Sequence, residues 1–286
     1  MSDRLPISKT YKLFIGGKFP RTESGRSTLV DDASIGLSAH VCHGSRKDVR
    51  NAVEVAHGAH KKWCGSTGYL KGQILYRLAE MMEGKRAELA AALSGETDEG
   101  MKEVDASIDR VVHFAGWTDK YSSVMGGANP VSGPYHNFTI PGSMGVVGCI
   151  APDSPSLLGL ISMIMGPVSM GNTVVALVSE TNPIPAMILA EALATSDLPG
   201  GVVNLITGFR EELVPHFASH REVIGIHAGG VSDAHRAELR EGTAINMKRV
   251  CLRDGSLDYF DDEACSGPGW LDPFVEFKTI WHPSAV

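Results

Sequence analysis

The 286-residue sequence contains no pair of cysteines at CxxC spacing, no apolar run of membrane-spanning length and no excess of basic charge. Each shortage removes a class of function. Its five cysteines, Cys42, Cys64, Cys149, Cys251 and Cys265, are odd in number and scattered, which argues against a disulfide framework and suits a reducing cytoplasm. The longest apolar run, residues 157–165, is interrupted by Gly159 and Ser162 and stops at Gly166-Pro167, so it is too short to cross a bilayer. Residues 1–11 are polar and charged, unlike a secretory leader. The 26 Lys and Arg stand against 33 Asp and Glu for a net charge of −7, so neither nucleic acid nor a membrane surface is an expected partner.

Glycine, by contrast, is abundant at 32 residues, and many glycines end an apolar run, the punctuation of an alternating α/β chain. Residues 12–18 read as a short hairpin strand, with β character continuing to Val41. Ser45 and Asp48 have capping-box spacing. They open a helix on which Val49, Ala52, Val53, Ala56, Ala59 and Trp63 share one face. Further helices are predicted near 70–96 and 102–120, and a strand over 135–140. From there apolar runs at 144–150, 173–178, 202–206, 223–227 and 249–252 alternate with helical stretches near 154–169, 183–196, 210–218 and 231–241. Short buried strands alternating with helices predict a doubly wound parallel sheet covered on both faces. The tail, 274–281, alternates once more as a strand.

Several segments resemble the NAD(P)-dependent aldehyde dehydrogenase superfamily, in order and at matching spacing. They include Phe14-Ile15-Gly16-Gly17-Lys18, Ile74-Leu75-Tyr76-Arg77-Leu78-Ala79, Phe114-Ala115-Gly116-Trp117, Gly145-Val146-Val147-Gly148, Gly171-Asn172-Thr173-Val174-Val175 and Leu198-Pro199-Gly200-Gly201-Val202-Val203-Asn204. The resemblance implies a Rossmann-like cofactor-type domain over 1–120 and 142–262. It also implies a small β oligomerisation element from 121–141 and 270–286, since Glu276-Phe277-Lys278-Thr279-Ile280-Trp281 is similar to the family's C-terminal strand.

Carried over position by position, the working residues fare differently. Where the family has the Asn that helps form its oxyanion hole, in Pro-Trp-Asn-Phe-Pro, this sequence has Pro152-Asp153-Ser154-Pro155-Ser156. Ser154 is a shorter, freely rotating donor, and loss of one oxyanion donor costs about 10²–10³ in rate. The Lys that contacts the adenosine ribose is Leu177, while Ser179 and Glu180 remain. Phe209-Arg210-Glu211-Glu212-Leu213-Val214 replaces a glycine-bearing segment, so side chains would obstruct close backbone approach. Ala228-Gly229-Gly230-Val231 lacks the serine of Phe-Thr-Gly-Ser. Arg253 stands where Glu-Leu-Gly-Gly supplies the general base, and an arginine cannot accept that proton. Between about Asp261 and Ser266 the family would continue into its catalytic domain; here the sequence passes directly towards the final strand. Cys265 is the nearest thiol, and its neighbours Glu263 and Ala264 do not reproduce the nucleophile motif.

Other candidates read as structural. His216 and His220 have i, i+4 spacing but no third metal ligand. His40, Cys42 and His43 alternate across a strand. His57 and His60 bracket the polar side of the first long helix, and Ser154 and Ser156 lack a nucleophile-elbow context. The expectation is therefore no catalytic residue and no metal. Pro152, Ser154, Ser179 and Glu180 are vestigial cofactor-binding positions, with no cofactor bound, or NAD(P) if any. The expected role is that of an inactive structural or regulatory subunit, a homo-oligomer or a hetero-oligomer with a full-length aldehyde dehydrogenase. The alternatives are an NAD(P)-dependent oxidoreductase component and a nucleotide-binding module.

Overall fold

The computed structural model describes residues 9–34, 36–94 and 98–284. The chain begins with β1 (Thr10–Tyr11), β2 (Ser27–Asp32) and β3 (Leu37–Cys42), a three-stranded sheet in the order β1-β3-β2. Residues 12–18 do not form a full strand. Gly16 and Gly17, at φ +65° and +74°, close a tight turn instead. Isolated bridges Ile15–Lys18 and Phe14–Leu205 are what remains of the expected hairpin.

A helical layer follows, α1 (Arg46–Cys64), α2 (Gly68–Gly84), α3 (Arg86–Ser94) and α4 (Asp98–Ala115), with a short α5 (Tyr121–Met125). The capping box opens α1 as expected, with the Ser45 side chain and the Asp48 side chain serving each other's backbone amides. The helix expected over 70–96 is two helices, broken at Lys85, which leaves helical φ/ψ and donates from its ammonium to Glu88 at 2.9 Å and Glu191 at 2.6 Å. Glu96 lies outside the described residues. The helix expected over 102–120 starts earlier, with Asp98 and Glu99 in its first turn, and stops at Ala115.

The centre is a five-stranded parallel sheet in the order β10-β9-β6-β7-β8. Its strands are β6 (Val146–Ile150), β7 (Thr173–Leu177), β8 (Val203–Ile206), β9 (Val223–Ala228) and β10 (Arg249–Leu252). Between them run α6 (Ser156–Ser169), α7 (Ile184–Thr195), α8 (Arg210–Ser219) and α9 (Asp233–Asn246). Order reverses at β6, whose neighbours are β7 and β9. Every residue of α6 is buried, as the sandwiched helix of a doubly wound sheet must be.

Two asparagines from the family-like motifs bind the layers together. Asn172, fully buried, accepts from the amides of Met144 (2.8 Å) and Gly145 (3.1 Å) and donates to the carbonyls of Pro167 (3.0 Å) and Phe274 (2.8 Å). Asn204 accepts from the Gly16 amide (2.9 Å) and donates to the carbonyls of Val174 (3.1 Å) and Gly201 (2.9 Å). Gly201, at φ +96°, lies so close to α1 that a Cβ would sit 2.9 Å from Ala59.

The third sheet, β4 (Gly127–Ala128), β5 (Tyr135–Ser143) and β11 (Val275–Pro283), has the order β11-β5-β4. It is reached through α10 (Asp262–Ser266) and two 3-10 turns, Pro268–Trp270 and Asp272–Phe274. β11 pairs antiparallel with β5 along its whole length, from Val275 opposite Ser143 to Pro283 opposite Tyr135. Only its root is buried, and Tyr135, Ile140, Phe277, Ile280 and Trp281 are exposed. No described helix is long and apolar enough to cross a membrane.

Candidate functional site

In a doubly wound sheet the ligand crevice lies beyond the carboxyl ends of the strands at the switch point. Here that crevice is assembled from the loops after β6, β7, β8, β9 and β10. Of the positions singled out from sequence, Ser179 and Glu180 come together there, Pro152 packs beneath the loops after β6 and β9, and Ser154 turns to a separate cavity. Two residues that sequence reasoning did not single out, Asp153 and Arg210, bring the loops together.

Arg210, the first residue of α8, is nearly buried and spans the crevice. Its guanidinium pairs with the Asp153 carboxylate and donates to the Ala151 carbonyl at 2.8 Å. Its backbone amide donates to Glu180 at 2.9 Å. Asp153 in turn accepts from the amides of Glu180 (2.8 Å) and Thr181 (3.3 Å) and from the Ser179 hydroxyl (3.2 Å). Burial pushes the Asp153 carboxyl up, but Arg210 and the two amides outweigh it and hold the group below its usual 3.8. The retained Glu180 thus caps α8, and the guanidinium lies where a glycine-bearing turn would leave the backbone open. The cavity that Ser179 and Glu180 line, with Gly208 and Phe209, measures about 20 Å³. Pockets for cofactor-sized ligands run to about 300–1,000 Å³.

Pro152 is packed against backbone on two sides. A Cβ on Gly159 would lie 2.4 Å from its ring, and one on Gly230, at φ +63°, 3.0 Å from it. Ser154 is exposed on the rim of a separate cavity of about 530 Å³, with Glu103, Pro155 and Phe260. Glu103 accepts from the amides of Leu157 (2.7 Å) and Leu158 (3.1 Å). The anion seat at the start of α6 is therefore filled by the protein's own carboxylate. Burial raises that carboxyl above its ordinary value, with the two amides pulling the other way.

Arg253, at the position where the family resemblance puts a general base, is half-buried against aromatic rings. Its Nε donates to His227 Nε2 at 2.8 Å, and its guanidinium stacks 3.8 Å from the Trp270 ring centroid. His227 is fully buried and its Nδ1 faces the Met163 carbonyl at 2.9 Å. That carbonyl only accepts, so the proton is on Nδ1 and the ring is neutral. Burial first, then Arg253, hold its pKa well below 6.5. Arg110, also buried, ties α4 to the segment before β11. It donates to Ser162 (2.7 Å), the carbonyls of Tyr259 (2.9 Å) and Cys265 (3.3 Å), and Asp262 (2.9 Å).

Cys265 lies in α10, buried, its thiol facing the Asp258 carbonyl at 3.4 Å. Its pKa is raised by burial above all, with Asp261 adding to that and Arg110 opposing it. A raised thiol is a poor nucleophile. His60, expected at the surface, is half-buried against Ser143 Oγ at 3.0 Å. Among the described residues no group of three or more His, Cys, Asp or Glu is arranged to hold a metal.

The sequence model of the aldehyde dehydrogenase family matches residues 21–260. The mitochondrial aldehyde dehydrogenase of Sus scrofa is 30% identical over 257 residues, covering 85% of this chain and 48% of that protein. The mitochondrial benzaldehyde dehydrogenase of Antirrhinum majus is 28% identical over 265 residues, covering 89% and 49%. Among solved structures, an NAD+ complex of aldehyde dehydrogenase from Bacillus cereus superposes with a TM-score of 0.78 at 26% identity, over 85% of this chain and 50% of that one. The chain spans about half the length of the relatives it matches. With its fold, its motifs and this match over most of its length in agreement, the chain belongs to the aldehyde dehydrogenase family.

Proposed function

We propose that this chain is a catalytically inactive member of the family, a structural or regulatory subunit of the cytoplasm. It assembles through the β4-β5-β11 sheet with a second copy or with a full-length aldehyde dehydrogenase, and it binds no nicotinamide cofactor of its own. The observation that carries this reading is the Arg210–Asp153–Glu180 network, which sets side chains across the loops where the fold would seat a dinucleotide. Arg253 supports it, being committed to His227 and Trp270 and unable to take a proton. So does the stretch from α10 to β11, which holds two 3-10 turns where the family resemblance places the catalytic domain. β11 is an unpaired edge with Phe277, Ile280 and Trp281 exposed, a surface that favours strand addition or face-to-face packing. The test is paired. The purified chain is assayed for NAD- and NADP-dependent aldehyde oxidation, and it is co-expressed with a full-length aldehyde dehydrogenase for mass measurement of the eluted species. No turnover and a complex larger than one chain are expected; robust turnover by the chain alone would return the account to an oxidoreductase component.

A further inference from the structure

Away from the crevice, at the opposite ends of the central strands, a cavity of about 230 Å³ opens between α2, α5 and the root of the β5–β11 pair. At about 30 Å³ per water it has room for an ion of several heavy atoms. Lys71 lines it, 8% exposed, and its ammonium reaches only neutral partners, the carbonyls of Ser66 at 2.8 Å and Cys64 at 3.3 Å. A buried charge without a counter-ion is costly and asks for a partner. The opposite wall repeats the theme. Ser143 lines the cavity and carries His60 behind it at 3.0 Å, and His60 is held below its usual 6.5 by burial, His57 and Lys71. Among the described groups that shift Lys71 or His60, none is a carboxylate. Asp272, which reaches the cavity wall through Tyr121, accepts that hydroxyl's proton at 2.7 Å. The Thr118 hydroxyl donates to the Ala115 carbonyl and the Ser169 hydroxyl to that of Gly166, while the Ser122 and Ser143 hydroxyls also line the cavity, Ser143 paired with His60.

We propose that this cavity is a binding site for a small oxyanion, a phosphate group or a carboxylate, received by the Lys71 ammonium with the Ser122 and Ser143 hydroxyls as further donors. An ion held there bridges the helical layer to the root of the β5–β11 sheet, so occupancy would stiffen the base of the sheet without touching the closed crevice. The site stands apart from the proposed loss of catalysis and does not depend on it.

The full chain is titrated calorimetrically with inorganic phosphate and, separately, with acetate, and the His60 ring protons are followed by NMR against pH. Saturable binding of either anion is expected, with the one that binds identifying the chemistry. Lys71→Met should weaken it about tenfold or more, the worth of one charge-assisted hydrogen bond. Lys71→Met also bares the Cys64 and Ser66 carbonyls that the ammonium holds, so its folding is checked by a melting curve beside the titration. Should it not fold, the wild-type chain still decides, since a bound anion must raise the His60 pKa. Absence of saturable heat with both anions, equal binding by Lys71→Met, or a His60 titration unmoved by the anion would each overturn the proposal.

Discussion

Replacing Arg210 by methionine tests the closed crevice most sharply, because the stem's packing is kept and only the guanidinium is lost. Two interactions go with it, the pair with Asp153 and the donation to the Ala151 carbonyl at 2.8 Å. Hydrogen bonds to charged groups contribute about 1.5–3 kcal/mol each. Asp153 is one-third exposed, so its share belongs at the low end of that range. The sum is about 3 kcal/mol. For a chain of this length that moves the melting midpoint by about 5 °C. The loss should also depend on pH. Asp153 has a folded pKa below 3.8, so its contribution is fully present above 3.8 and disappears as pH falls through the lowered folded value. Urea unfolding of wild type and variant at neutral pH and near pH 3 reads both effects. A difference below about 0.5 kcal/mol at neutral pH, typical of a surface pair, would refute the reasoning, as would a difference that stays constant to pH 3.

His227 supplies a second pH signature. Its folded pKa lies well below 6.5, so the unfolded chain alone takes up this proton below 6.5, and stability falls by about 1.4 kcal/mol per pH unit as pH drops from there. His227→Phe should flatten the slope between pH 6.5 and 5.5 by about one proton, measured by denaturant unfolding. Asn172→Ala strands two amides and the Phe274 carbonyl in the core, while the Pro167 carbonyl keeps the backbone amide of residue 172; three lost partners should cost about 3 kcal/mol at about 1 kcal/mol per bond, with β11 losing amide protection in hydrogen exchange because its root at Phe274 is released. Phe277→Lys combined with Trp281→Lys puts two charges on one face of β11 and should reduce the mass in size exclusion to that of one chain while leaving the melting midpoint nearly unchanged.

Much of the fold was legible because the motifs that carry the family resemblance are structural. Asn172 and Asn204 saturate backbone groups between layers, and Gly201 lets the chain pass α1 at close range. Those demands belong to the architecture and persist whatever happens to the chemistry. Apolar periodicity located the central strands for the same reason, since a parallel sheet buried on both faces tolerates little else. The break at Lys85 was hidden because its cause is tertiary, the Glu191 carboxylate on α7. The crevice was half legible. Ser179 and Glu180 marked the carboxyl edge of the sheet, and the segment without glycines is the one that carries Arg210. What fills the gap was not visible, because Asp153 and Arg210 lie 57 residues apart and meet only through the strand order. An acid just past one strand and a base opening the helix past another are the signal that topology, once known, would have turned into a pair.

Calorimetric titration of the purified chain with NAD+ puts the central claim to its most direct test. With Arg210 held across the crevice by Asp153 and Glu180, no saturable heat is expected up to millimolar cofactor. A micromolar dissociation constant would contradict it.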